Sequence, residues 1–155
     1  MLERFRSFNP VEVAGSILAE KTDEVEDIIR GQLMDGKDSL GQLITPTYSQ
    51  DPFFKKEGAA QRYAQWKADL FPNSTKPFDT PNLIITGEFH RSITVSIQGE
   101  NVVYDSSIGL GADIMAKYGD TIIGLNDEGK KKAWQDLIRE EFVRILADET
   151  QCPIS

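Results

Sequence analysis

Residues 36–57, GKDSLGQLITPTYSQDPFFKKE, constrain the fold more than any other stretch of the chain. Gly36, Gly41, Pro46 and Pro52 interrupt it, and neither a helical nor a strand period runs through it. Yet it carries Leu40, Leu43, Ile44, Tyr48, Phe53 and Phe54. Connections this long without regular structure are uncommon in a compact domain, and one this apolar needs covering. Two placements meet that need: a groove of its own domain, or the surface of a neighbouring subunit. The sequence leaves both open. For the second placement the candidate interface anchors are Leu43, Ile44, Tyr48, Phe53 and Phe54, joined by Trp66 from the segment that follows.

Helices flank this arm. Asn9 is placed as an N-cap, Pro10 as the first helical residue, and Glu12 as the partner in a capping box. Phe8 and Val13 take the two staple positions. Val13, Ile17, Val25, Ile28, Ile29 and Leu33 recur at near-helical spacing, which predicts one helix from about Pro10 to Met34. Asp23, Glu24, Glu26 and Asp27 fall on its remaining surface. After the arm, Ala59–Leu70 reads as a shorter helix with Tyr63, Trp66 and Leu70 on one side. Residues 71–82, FPNSTKPFDTPN, are a linker rich in turn formers.

The β signals come next. Residues 82–86 (NLIIT) predict a short strand ended by Gly87. Phe89, Arg91, Ile93, Val95 and Ile97 alternate with His90, Ser92, Thr94 and Ser96, a period of two that argues a half-buried strand. Gln98-Gly-Glu-Asn101 supplies a two-residue turn, and residues 101–105 (NVVYD) the return strand. Residues 111–118 suit a helical turn or two, with Gly119 as a left-handed stop. Residues 121–125 predict a strand or extended segment returning to the sheet. Asn126 caps the last helix, with Asp127 and Glu128 where the macrodipole favours carboxylates. Trp134, Leu137, Ile138, Phe142, Ile145 and Leu146 form its apolar stripe to about Asp148. The fold class is α+β: helices on one face of a small antiparallel sheet with a β-hairpin, in a single domain over 1–155 with a loose tail at 149–155.

Composition narrows the function. The chain has 155 residues, 39% apolar and 27% charged, with a net charge of −8. That balance suits a soluble globular domain and opposes a grip on nucleic acid, which needs a basic patch. The one basic run, Lys130–Lys132, reads as a solvated helix turn. The apolar runs are too short for a bilayer span, the N-terminal residues have no signal-peptide core, and the lone Cys152 forms no internal disulfide; synthesis in the cytosol is expected. His90 and Glu88 share a strand face, but one histidine and one glutamate are too few ligands for zinc. Asp113, Asp120 and Asp127 recur every seven residues, a pattern that Mg²⁺ chemistry can use. Asp120 and Asp127 are already accounted for by a turn and a helix start. Gly109-Leu-Gly111 is too short for a dinucleotide fingerprint. No nucleophile–base pair, cofactor site or metal site is expected, and the chain reads as a non-enzyme.

Three segments carry a resemblance. PNLIITGEFHRSITV (81–95) looks like the Leu-x-x-Thr-Gly-x-Leu/Phe-x-x-Ser-Ile segment of phage virion-morphogenesis and tail-completion proteins. GADIMAKYG (111–119) is similar to their Tyr-Ala-x-x-His-x-x-Gly segment, with Met115 or Lys117 where the family has His. IIGLNDEGKKKAWQDLIREEFVRIL (122–146) resembles their Leu-Gly-Leu-Ser-x-Glu tail helix, without the preceding Pro-Ala-Arg. The spacing Lys-Tyr-Gly-Asp-x-Ile-x-Gly-Leu looks more like versions in phages of Bacteroides-type hosts, including crAss-like ones. The resemblance covers roughly residues 40–147. It implies a structural virion protein of the head–tail junction: a connector, neck or tail-completion ring, twelvefold or sixfold. The implied partners are the portal, the tail tube and neighbouring connector proteins, with DNA passing through the channel without specific binding. The implied location is the virion, after assembly in host cytoplasm. The rivals are a phage assembly factor that is not incorporated, and a small metal-dependent hydrolase acting through Asp113, Asp120 and His90.

Overall fold

The computed structural model of the chain describes residues 8–150. The expectations for the N-terminal leader region, for Cys152 and for the tail beyond Thr150 lie outside those residues. The order is α1 (Pro10–Ala19), α2 (Thr22–Met34), the arm, α3 (Ala59–Leu70), α4 (Glu88–Ser92), β1 (Ile93–Gln98), β2 (Asn101–Ser106), α5 (Gly109–Tyr118), a 3₁₀ turn (Asp120–Ile122), α6 (Asp127–Ala133), a π turn (Trp134–Ile138) and α7 (Arg139–Thr150). The α+β class holds, with one two-stranded antiparallel sheet.

The locally encoded features fall where expected. Asn9 Oδ1 accepts from the Val11 and Glu12 amides at 3.1 and 3.2 Å. Asn126 Oδ1 accepts from the Gly129 amide at 2.8 Å, and Asp127 and Glu128 fill the first turn of α6. In the hairpin, Ile93 pairs with Ser106 and Gln98 with Asn101, which leaves Gly99 and Glu100 as the turn. Gly99 has φ 63°, a region open to glycine at little cost.

One core organises the molecule. Ile93 and Val95 from β1 meet Val25, Ile29 and Leu33 from α2, Ala133 from α6, and Ile122, Ile123 and Leu125 from the segment between α5 and α6. Val102 and Tyr104 of β2 and Ile114, Met115 and Tyr118 of α5 pack around it.

Three expectations are corrected. The single helix from Pro10 to Met34 is two helices. The Glu20 and Lys21 amides bond the Ile17 and Leu18 carbonyls at 3.3 and 2.9 Å, tightening the end of α1. The Lys21 ammonium crosses to the Leu137 carbonyl at 2.9 Å. The break lets α1 face the π turn and α7 while α2 faces β1 and α6. One straight helix aims its stripe in one direction only.

Residues 82–86 are not a strand, and the period of two does not extend to Phe89, His90 and Arg91. Gly87 has φ 83° and starts the short helix α4. Leu83 itself sits at φ 61°, an uncommon state for a side-chain-bearing residue. Asn82 Oδ1 holds that kink by accepting from the Ile84 amide at 3.1 Å. Glu88 and His90 therefore lie on a helical turn, exposed and buried respectively, rather than on one strand face.

Residues 121–125 do not join the sheet. Their backbone is satisfied by side chains and by the arm instead. Gln32 Nε2 donates to the Gly124 carbonyl at 2.7 Å, and Gln32 Oε1 accepts from the Asn126 amide at 3.1 Å. The Ser39 amide donates to the Thr121 carbonyl at 2.9 Å. Gln32, 8% exposed, does the work of a neighbouring strand.

On α3 the inward side is the one with small residues. Ala60, Ala64 and Lys67 face inward, while Trp66 and Leu70 are 47% and 51% exposed.

Candidate functional site

The arm folds back over its own chain, and it does so unevenly. The Ile44 amide bonds the Gly36 carbonyl at 2.8 Å and the Tyr48 amide bonds the Asp79 carbonyl at 2.9 Å. Ile44 and Tyr48 are buried within their own chain, 2% and 5% exposed, which is the first of the two placements open to the arm. Tyr48 packs edge-on against Tyr63 of α3 with ring centroids 5.0 Å apart, and against Phe54 at 6.1 Å. Phe54 is half-buried in this cluster, over Ala60 and Ala64. The small alanines let the arm's rings approach the helix. Phe53, by contrast, is 76% exposed, and Leu43 and Trp66 are about half exposed. The expected anchors thus divide into a packed half and an open half.

Between the arm, the 81–87 loop and α5 lies a cleft of about 360 Å³. The clustered rings of Tyr48, Phe54 and Tyr63 line it, together with Leu83, Ile84 and Ile85. Ile114 and Tyr118 of α5 also line it. Ile85, 76% exposed, and Phe53 stand as apolar lips.

Charged groups punctuate this apolar lining. Asp51, 8% exposed by its side chain, holds the Lys117 ammonium at 2.6 Å and accepts from the Phe53 amide at 3.0 Å. Burial pushes the Asp51 carboxyl up, but the Lys117 ammonium and the Phe53 amide outweigh it and hold the group below the usual carboxylate range. Lys67 is 2% exposed. Its ammonium donates to the Ile84 carbonyl and lies 5.3 Å from the Phe71 ring. Among the described residues no carboxylate stands within 4.0 Å of it. Burial, aided by the nearby Lys76 charge, lowers its pKa to about 8.

His90, on α4, is buried beside the 81–87 loop. Its Nε2 lies 2.7 Å from the Asn82 carbonyl oxygen. A carbonyl only accepts, so Nε2 carries the proton. Burial lowers the His90 pKa, and the ring is neutral at pH 7. The Arg30 Nε donates to the His90 carbonyl at 2.7 Å. His90 is thus a structural pin between the 81–87 loop and α4. Asn82 is fully buried, and its Nδ2 has no partner.

Asp113, Asp120 and Asp127 are all exposed, on α5, the 3₁₀ turn and the start of α6. Among the described residues no group of three or more His, Cys, Asp or Glu is placed to hold a metal ion. Among them, too, no helix is long and apolar enough to cross a membrane.

Sequence reasoning missed Lys67, the Asp51–Lys117 pair and the Gln32 clamp. The first had a signal. Ala60, Ala64 and Lys67 recur at helical spacing and share one side of α3, a side whose small alanines leave room for a close neighbour. The other two join residues 66 and more than 90 positions apart, and nothing local announces them. No family model matches the chain, and neither does any curated protein or solved structure.

Proposed function

We propose that the chain is a structural virion protein of the phage head–tail junction, a subunit of a connector or tail-completion ring around the DNA channel. The observation that carries the reading is the open half of the arm. Phe53 and Ile85 are each 76% exposed, Leu40 63%, and Leu43 and Trp66 about half. Phe53 and Ile85 flank one cleft, and exposed apolar groups that lie together mark an interaction surface. A ring closes by heterologous contacts, in which one surface of each subunit meets a different surface of the next. An arm fixed at Ile44 and Tyr48 and open at Phe53 suits that use, because its conformation is set before the neighbour arrives.

Two further features support the reading. The segments that carry the family resemblance come together in space: Phe89 and Ile93 share the central core with Ile122, Ile123 and Leu125, and Ile114 and Met115 pack against it. They therefore build one structural unit. The net charge of −8, repeated around a ring, disfavours adhesion to phosphate and lets DNA slide.

Two measurements test the proposal. Protein analysis of purified particles is expected to find the chain in the virion at a fixed ratio to the portal; its absence there overturns a structural role. The mass of the purified chain, measured alone and with portal protein, is expected to rise from monomer to a ring on the portal. A monomer under both conditions overturns the ring.

A further inference from the structure

The cleft combines a confined apolar space with a buried cation that its own chain leaves without a counter-charge. Clefts of a few hundred Å³ with mostly apolar walls and a few polar groups are the usual form of small-ligand sites. Here aromatic and aliphatic side chains both line the cleft, and Lys67 is among the lining residues. An ammonium has three N–H donors, and the Ile84 carbonyl is the acceptor that the described residues provide. The neighbouring charges do not relieve it. Lys76 is cationic, His90 is neutral with its ring proton turned to Asn82, and Asp51 is already committed to Lys117.

We propose that this cleft binds a small apolar carboxylate, whose hydrocarbon body lies against Phe54, Leu83, Ile85 and Ile114 and whose anionic head meets the Lys67 ammonium. A neutral ligand of the same shape fills the space but leaves the cation uncompensated. A cationic one adds a second positive charge to Lys67. The site therefore selects by head group as well as by shape. The inference does not depend on the head–tail reading, since the cleft is formed within one chain.

Titration of the full chain with decanoate, decanol and decylammonium tests it, followed by amide chemical shifts at pH 7. Decanoate is expected to bind roughly tenfold more tightly than decanol, the factor that one charge-assisted hydrogen bond supplies, and decylammonium more weakly than either. The shifts are expected at Ile84, Ile85 and Ile114. Lys67→Met is expected to erase the preference for decanoate over decanol while keeping the alcohol's affinity. Ile114→Trp, which fills the cleft and leaves Lys67 in place, is expected to abolish decanoate binding independently of the lysine variant. Equal affinity for acid and alcohol, shifts confined to another surface, or decanoate binding that survives Ile114→Trp would each overturn the proposal.

Discussion

Two regions of this molecule are built on different physics. The central core joins α2, the hairpin and the segment before α6 through Val25, Ile29, Leu33, Ile93, Val95 and Ile122. It is mainly aliphatic, with Phe89 among its buried members, and shielded from water. The second region joins the arm, α3 and the 81–87 loop. Its contacts are aromatic edges, an Asp51–Lys117 ion pair and a lysine whose ammonium meets a backbone carbonyl. The first region is arranged for stability. The second keeps a cleft open, buries a cation without a carboxylate and leaves Phe53 and Ile85 in solvent. Features that cost stability without improving packing concentrate where a protein meets something else.

The largest expected effect lies in the first region. Leu33→Ala removes a fully buried side chain at the centre of the core and is expected to cost about 3 kcal/mol in denaturant unfolding. A loss no larger than that of an exposed-site substitution breaks the contrast, because the core then does not hold the fold.

Lys67→Met is expected to change stability in the opposite direction. Replacing a buried cation that lacks a counter-ion by an apolar side chain of similar length is expected to stabilise by about 2 kcal/mol at pH 7. The pH dependence sharpens this. The Lys67 pKa is about 8 folded and 10.5 in an ordinary setting. Between those values the unfolded chain binds more protons, so wild-type stability rises with pH there. The gap between variant and wild type is expected to narrow from pH 8 to 10.5. A gap that stays constant across that range means that the lysine is not desolvated.

Smaller still is the effect of Lys117→Met, which leaves Asp51 buried without its cation. Lys117 is 42% exposed by its side chain, so water moderates the loss to about 1 kcal/mol near neutral pH. The folded Asp51 pKa is depressed below 3.8. The pair's contribution is therefore present above that value and lost as pH falls through the folded one. Urea titrations at pH 7 and pH 3 are expected to show the variant's deficit at the first and a reduced deficit at the second.

The same division separates what the sequence makes legible from what it hides. Asn9, Asn126 and Gly99 act within a few residues of themselves, and the caps and the turn they specify are all present. The bounds of Ala59–Leu70 were legible for the same reason, but its orientation was not. Tyr63, Trp66 and Leu70 share a side by spacing, yet only Tyr63 packs with the arm's rings, which lie over Ala60 and Ala64. The strand reading of residues 121–125 failed because a side chain distant in sequence, Gln32, satisfied the backbone that a strand partner would have served. The period of two at 89–92 yielded to the bonds that His90 and Arg30 make around Asn82 and α4. In the candidate site, the arm's importance was legible from its composition, whereas its division into buried Ile44 and Tyr48 and open Phe53 depended on contacts with Asp79 and α3.

The smallest expected stability change comes with the most decisive functional outcome. Phe53→Ser with Ile85→Ser alters only exposed side chains, and unfolding is expected to shift by no more than about 0.5 kcal/mol per site. The central claim is that the open half of the arm and loop region serves association and not folding. The most direct test is the mass of this double variant in the presence of portal protein, measured beside wild type. A folded double variant that stays monomeric while wild type forms a ring is the predicted result; a ring of wild-type mass from the double variant contradicts it.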